Sequence, residues 1–278
     1  MAIYHLSVTR PIARSVGRSS TAASAYRTGT LILDQRTGIA HDYRRRRGVV
    51  ADRLVLPSGD AIEDRASFWN QVEMHHKRRD AVTAREVVVA LPAELGEKDR
   101  NELAWRFAAE IASRYEVATD CAVHQPSQSG DDRNHHAHIL ISACRVEAGG
   151  QLGAKAVELD PIHCQRAGIQ RFVDWLRPRW QDLANEALAA SSAAARIEHR
   201  SHATLGRNQI PSVHVGIGAG AARRRMLNKR RLRENAELER INLAVERLKR
   251  NRSRLEQSGS GRGGIDQIKR TGRGRPRC

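Results

Sequence analysis

Long hydrophobic runs are missing from this chain of 278 residues: the longest aliphatic stretch is Val87 to Leu91, whereas a membrane-spanning helix needs about 20 apolar residues. That excludes a helical integral membrane protein. The start, Met1-Ala2-Ile3-Tyr4-His5-Leu6-Ser7, has neither a basic leader nor the apolar core of roughly 7–15 residues of a secretory signal, so a cytoplasmic location is expected. Aromatic residues are scarce, with 4 Trp, 4 Tyr and 3 Phe, which argues against gripping single strands mainly by repeated base stacking. The four cysteines, Cys121, Cys144, Cys164 and Cys278, form no CxxC pair. Neither a zinc ribbon nor a disulfide framework is indicated, and they read as reduced structural thiols.

What the chain has in excess is positive charge, 48 Lys and Arg against 31 Asp and Glu for a net of +17, the balance of a protein that binds anions such as phosphate. Residues 219–278 hold 19 basic and 6 acidic residues, a net of +13, and the first 218 residues carry only +4. Near that step Gly216-Ile217-Gly218-Ala219-Gly220 reads as a flexible joint. Three segments are therefore expected: a domain over 1–215, a basic helical, coiled-coil-like segment over 216–257, and a disordered Gly/Arg-rich tail over 258–278. Leu238, Ile241, Val245, Leu248 and Leu255 give the second its helical seam, interrupted at Arg252. The tail has no apolar period with which to offset ordering entropy.

Within the first domain the expected order is β, α, hairpin, α, β, α, β, β, α. Ala2 to Thr9 reads as a strand and Ser20 to Arg27 as a short helix with hydroxyl residues at its cap. Leu31–Leu33 and Ile39–Tyr43 flank the turn signal Asp34-Gln35-Arg36-Thr37-Gly38. Asp60-Ala61-Ile62-Glu63 has capping-box spacing ahead of a helix to about Arg79. Arg85–Leu91 is a β-branched strand stopped by Pro92, and Glu97–Arg114 carries Leu103, Phe107 and Ile111 on one helical face. Glu116–His124 and His135–Cys144 pair as a hairpin, and one long helix from Pro161 to Ala190 places Ile169, Phe172, Val173, Leu176, Trp180 and Leu183 on its apolar side. The class is α+β, with a largely antiparallel sheet flanked by helices.

Alternate strand residues share a face, so His136 and His138 project together and His135 points the other way. His124 ends the partner strand, with eleven residues between it and His136, so closing the hairpin adds a third imidazole. An HxH pair alone is unremarkable in a chain with 12 histidines, but three histidines at one sheet end suit a metal with positions left for a substrate oxygen. Ligand softness favours zinc or another transition ion for three imidazoles. Glu86 shares a strand face with Val88 and Ala90. A carboxylate there can orient a ligand histidine, accept a proton, or pair with one of many arginines.

The blocks Ala2-Ile3-Tyr4-His5-Leu6, Gly17-Arg18-Ser19-Ser20-Thr21-Ala22-Ala23-Ser24-Ala25-Tyr26-Arg27, His41-Asp42-Tyr43 through Val55-Leu56-Pro57, Ala84–Pro92 and Arg133-Asn134-His135-His136-Ala137-His138-Ile139-Leu140 resemble the MobA/MobL family of plasmid mobilisation relaxases, within the HUH endonucleases, over approximately residues 1–215. The resemblance implies a metal-dependent strand transferase. A tyrosine attacks one phosphodiester at the nick site of a transfer origin, stays joined to the 5′ phosphate, and lets the free 3′ hydroxyl reseal the strand after conjugative transfer. Tyr26 alone stands at the family's nucleophile position; Tyr4, Tyr43 and Tyr115 read as amphipathic edge residues. The resemblance further implies Mg²⁺ or Mn²⁺ as the working cation at His124, His136 and His138, with Zn²⁺ the alternative from softness. It implies single-stranded origin DNA, accessory mobilisation proteins and a type IV secretion coupling protein as partners, and export to a recipient cell attached to DNA. Two other readings stay open: a replication initiator with the same nicking chemistry, and a non-catalytic metal-containing DNA-binding accessory protein.

Overall fold

The computed structural model describes residues 2–127, 131–147, 149–213, 215 and 219–259. It divides into a compact unit ending at His199 and a second beginning at Arg200. In the first unit, β1 (Leu6–Val8) and β2 (Ile12–Ala13) precede α1 (Ser20–Thr28), the hairpin β3 (Leu31–Asp34) and β4 (Ile39–Asp42), then β5 (Val49–Val55) and α2 (Arg65–His75). There follow β6 (Val82–Ala90), α3 (Glu97–Tyr115), β7 (Val117–His124), β8 (His136–Val146), β9 (Leu152–Lys155), α4 (Pro161–Ala167) and α5 (Phe172–Ala190). The main sheet runs β1-β6-β8-β7-β5, with β2 on β6 and β9 on β8. Its pairings are antiparallel, and β3 and β4 form a separate two-stranded sheet. The α+β class with an antiparallel sheet is as expected.

Strand parity sorts the two faces. Val87, Val89, Cys121, Val123, Ile139 and Ile141 form one buried cluster with Phe107 and Ile111 of α3 and Leu176, Trp180 and Leu183 of α5. Removing that much branched and aromatic surface from water is the main stabilising term of such a layer. The opposite face packs Ala84, Ala118 and Leu140 against Ala23 of α1 and Phe68, Trp69 and Val72 of α2. The second face also carries Glu86, Asp120, His124, His136 and His138, by the same even parity. The chemistry thus lies on the side covered by the two N-terminal helices.

Several boundaries differ from expectation. The first strand is short, Leu6–Val8. The cap of α2 is Asp64, whose carboxylate accepts from the Ser67 amide at 2.9 Å, not Asp60. A Val55–Ala61 bridge and the Ile62 amide on the Leu54 carbonyl hold residues 60–62 against β5. The long helix expected over Pro161–Ala190 is two helices: Gly168, left-handed at φ 66°, caps α4. Ile169, expected on the apolar face, is exposed in the break. Strands β2, β5 and β9 were not expected. Cys121, Cys144 and Cys164 are buried free thiols.

In the second unit Ile210 and Val213 bind a helix that follows them. That helix, α6 (Ala221–Gly259), presents Asn235 to both backbone polar groups of Ile210 and Asn228 to both of Val213. It carries the expected seam, with Ile241, Val245, Leu248 and Leu255 exposed. Helix extends to Gly259, past the expected start of the tail at 258. The remainder of the tail and the joint residues 216–218 lie outside the described residues. No helix among the described residues is long and apolar enough to cross a membrane.

Candidate active site

The hairpin brings the three histidines together. His124 lies directly opposite His136 in the β7–β8 ladder and Ala122 opposite His138. Ring centroids are 5.3 Å apart for His124–His136, 4.9 Å for His124–His138 and 5.3 Å for His136–His138. One ring nitrogen from each lies within 4.8 Å of the others. His135 stands one residue ahead of β8 and outside this group.

Each ring is held through its other nitrogen. His124 Nε2 donates to the Arg27 carbonyl at 2.7 Å, His136 Nδ1 to the Asn134 carbonyl at 2.9 Å, and His138 Nδ1 to Glu86 Oε1 at 2.8 Å. A carbonyl or carboxylate only accepts, so these contacts fix the N–H tautomer and leave a lone pair on the second nitrogen of every ring. Burial pushes the His124 pKa down to about 4, and burial lowers that of His136 as well. Both are neutral at pH 7, the form that coordinates a metal. Three imidazoles pre-oriented in this way fit a divalent cation.

Glu86 is almost fully buried and serves as the hub behind the triad. It accepts from His138, from Arg27 Nε and Nη2 at 2.5 and 2.7 Å, and from the Thr9 hydroxyl at 3.0 Å. Burial alone pushes its carboxyl up, but the hydrogen bonds from His138 and Arg27 outweigh that and hold it well below the usual carboxylate range. So engaged, it is a poor proton acceptor and a good anchor. Of the three roles open from sequence, orientation of His138 and pairing with an arginine both fit.

Tyr26 sits on α1, 41 % exposed, one residue before Arg27, whose carbonyl holds His124 and whose guanidinium holds Glu86. Its ring meets Tyr43 edge-on at 5.2 Å and lies beneath the Arg46 guanidinium, 3.8 Å from the ring centroid. The charge of Arg46 also opposes protonation of His124 and His136, behind burial in both cases.

Sequence reasoning missed what fixes α1. Ser19 caps it, accepting from the Ala22 amide, as expected of a hydroxyl. Three further hydroxyls leave the helix for buried carboxylates: Ser20 to Glu73 of α2 at 2.7 Å, Thr21 to Asp34 of β3 at 2.7 Å and Ser24 to Asp120 of β7 at 2.6 Å. Charge-assisted bonds of this kind are worth about 1.5–3 kcal/mol each. Their spacing puts them on one side of the helix.

The MobA/MobL family pattern matches residues 18–225, taking in Tyr26, Glu86 and all three histidines. The chain belongs to the MobA/MobL family. Among MobA/MobL relatives, the mobilization protein MobL of Acidithiobacillus ferridurans is 49 % identical over 271 residues, covering 90 % of this chain and 70 % of the relative. A probable mobilization protein MobA of Bifidobacterium longum (strain NCC 2705) is 29 % identical over 279 residues, and the chain spans about half of it, 48 %. A solved structure described as the molecular basis of vancomycin resistance transfer in Staphylococcus aureus aligns with a TM-score of 0.60, over 72 % of this chain and 100 % of its own, at 22 % identity. That likeness shows a shared fold.

Proposed function

We propose that this MobA/MobL chain is a site- and strand-specific relaxase that nicks a plasmid transfer origin by tyrosine transesterification and reseals it after transfer. The observation that carries the reading is the connection between Tyr26 and the histidines: the residue after the tyrosine is hydrogen-bonded to His124 and, through Glu86, to His138. Mobilisation relatives favour a transfer origin over a replication origin as the target.

In this reading the Tyr26 Oη–P bond forms as the P–O3′ bond breaks. The phenolic proton leaves to water at the exposed edge of the ring, and the departing O3′ takes one up from water. His124, His136 and His138 would hold a divalent cation, Mg²⁺ or Mn²⁺ in this reading. When bound, it supplies Lewis-acid stabilisation of a non-bridging phosphate oxygen. Glu86 keeps His138 in its ligand tautomer, and Arg27 ties α1 to the hairpin so that nucleophile and histidines move as one body. The 5′-phosphotyrosine ester retains the energy of the broken bond, so attack by the 3′ hydroxyl reverses the step without a nucleotide cofactor. The basic α6 adds phosphate contacts that carry no sequence information. A cytoplasmic enzyme with single-stranded origin DNA as its partner, handed on by accessory mobilisation proteins and a type IV coupling protein, completes the reading.

The test is an origin-derived strand labelled at either end and incubated with protein and Mn²⁺. Label placed 3′ of the nick is expected to migrate with protein on a denaturing gel, and label placed 5′ of it to be released free. Both labels released free would mean hydrolysis, and the transferase reading would fail.

A further inference from the structure

Of the four consecutive arginines 44–47, one is unlike a solvated charge. Arg44 is committed to Asp42 by a bidentate pair at 3.0 and 2.7 Å, and Arg45 and Arg47 are exposed. Arg46 is half-buried and lies on the Tyr26 ring, and its Nε is buried with no hydrogen-bond partner. Among the described residues no carboxylate is paired with it. Its backbone is held in place from two sides. The Tyr43 amide donates to the Thr30 carbonyl just past α1 at 3.0 Å, and the Arg46 amide to the Tyr43 carbonyl at 2.8 Å. The chain comes so close to the helix end that a Cβ at Gly29, where φ is +67°, would stand 3.5 Å from the Arg46 carbonyl oxygen. Two residues on, the Gly48 carbonyl accepts from the Gln125 amide at 2.9 Å, next to His124. The loop therefore bridges the helix bearing Tyr26 and the strand end bearing His124.

A partly desolvated guanidinium with an unpaired N–H and no carboxylate opposite it is costly to keep, and beside a nucleophile it offers its charge to an anion. We propose that Arg46 is a catalytic residue of the nicking step, the accessible part of its guanidinium gripping one non-bridging oxygen of the scissile phosphate while the guanidinium plane holds the Tyr26 ring for attack. The inference rests on the relaxase reading above. The bonds made and broken are those of that reading, Oη–P for P–O3′. A guanidinium does not give up its proton in proteins, so Arg46 contributes fixed charge and direction and takes no part in proton transfer.

The experiment uses the full chain with Mn²⁺ and a strand carrying its mapped nick site, read as single-turnover nicking at saturating strand. Arg46→Met is expected to slow nicking by about 10²–10³-fold, the usual loss for a donor aimed at developing charge, and Arg46→Lys to restore only part. The deciding substrates are the two methylphosphonate diastereomers at the scissile position, each lacking one charged oxygen. With one, wild type and Arg46→Met should react at nearly equal rates; with the other the penalty should remain. An equal penalty on the phosphate and both diastereomers would assign Arg46 a purely structural role. An unchanged saturating rate with weaker binding would make it a non-specific grip, and either result overturns the proposal. If wild type cuts neither diastereomer, Arg46→Ala with added methylguanidinium decides. Saturable recovery not matched by sodium at equal ionic strength supports direct contact, and no recovery overturns it. A covalent product that persists in Tyr26→Phe would instead bring down the relaxase reading itself.

Discussion

Replacing Glu86 by Gln removes one charge at constant volume and separates an anchor from a proton acceptor. Glu86 Oε1 accepts from His138 and Arg27 Nε, and Oε2 from Arg27 Nη2 and Thr9. An amide has one accepting oxygen, so its NH₂ must face donors on one side. The less costly placement keeps His138 on the oxygen and turns the NH₂ toward Arg27 Nη2 and Thr9. Breaking a buried ion pair from one side costs about 3–5 kcal/mol; Arg27 retains 14 % side-chain exposure, so the lower end, about 3 kcal/mol, is expected. Loss of the carboxylate behind a ligand histidine weakens metal binding about 10- to 100-fold. Urea denaturation reads the first quantity as a lower midpoint at unchanged slope, and Mn²⁺ titration calorimetry reads the second. At saturating Mn²⁺ the nicking rate should return close to wild type. Wild-type metal affinity in Glu86→Gln would refute the anchor role. A rate still depressed 10²-fold or more with metal saturating would make Glu86 the proton acceptor after all.

Alanine at His124, His136 or His138 should abolish Mn²⁺ binding and nicking while the circular dichroism spectrum stays native, and His135→Ala should do neither. Comparable damage from His135→Ala would contradict its place outside the triad. Without metal, stability should fall as pH drops from about 6.5 toward 4. Burial lowers His124 and His76 to about 4 from an unfolded value of about 6.5, so the unfolded chain takes up protons that the native state refuses. Urea midpoints at pH 7.5, 6 and 5 measure the slope, which His76→Gln and His124→Gln should each reduce. Deleting residues 219–278, with net charge +13, should weaken binding to unrelated DNA and flatten its salt dependence by about 0.7–0.9 in log–log slope per lost phosphate contact. Nicking at saturating origin strand should survive, as single-turnover assays of the truncated chain will show.

The histidine triad was legible because strand parity and hairpin closure are local rules: His136 and His138 share a face by spacing alone, and the turn after His124 brings the third ring across. Strand β6 and helix α3 were legible for the same reason, through a β-branched run and a 3.6-residue period. What escaped depends on partners far along the chain. Strand β5, with Asp52 and Arg53 in its middle, has no alternation to betray it and is fixed by pairing with β7. The break at Gly168 interrupts a pattern that continues on both sides of it. Ser20, Thr21 and Ser24 look like cap residues until Glu73, Asp34 and Asp120 arrive from three other elements. Arg27 and Arg46 are two arginines among many, and only the fold distinguishes them from solvated charge.

The atom that takes the DNA decides whether this chain is a tyrosine strand transferase. After reaction of the full chain with an origin strand in Mn²⁺, nuclease trimming, proteolysis and tandem mass spectrometry locate the residue that retains a 5′-phosphonucleotide. The expected result is a single adduct on the peptide containing Tyr26, absent from Tyr26→Phe and from samples chelated beforehand, and unchanged in Tyr43→Phe and Tyr115→Phe. An adduct on Tyr43, or one that persists in Tyr26→Phe, would contradict it.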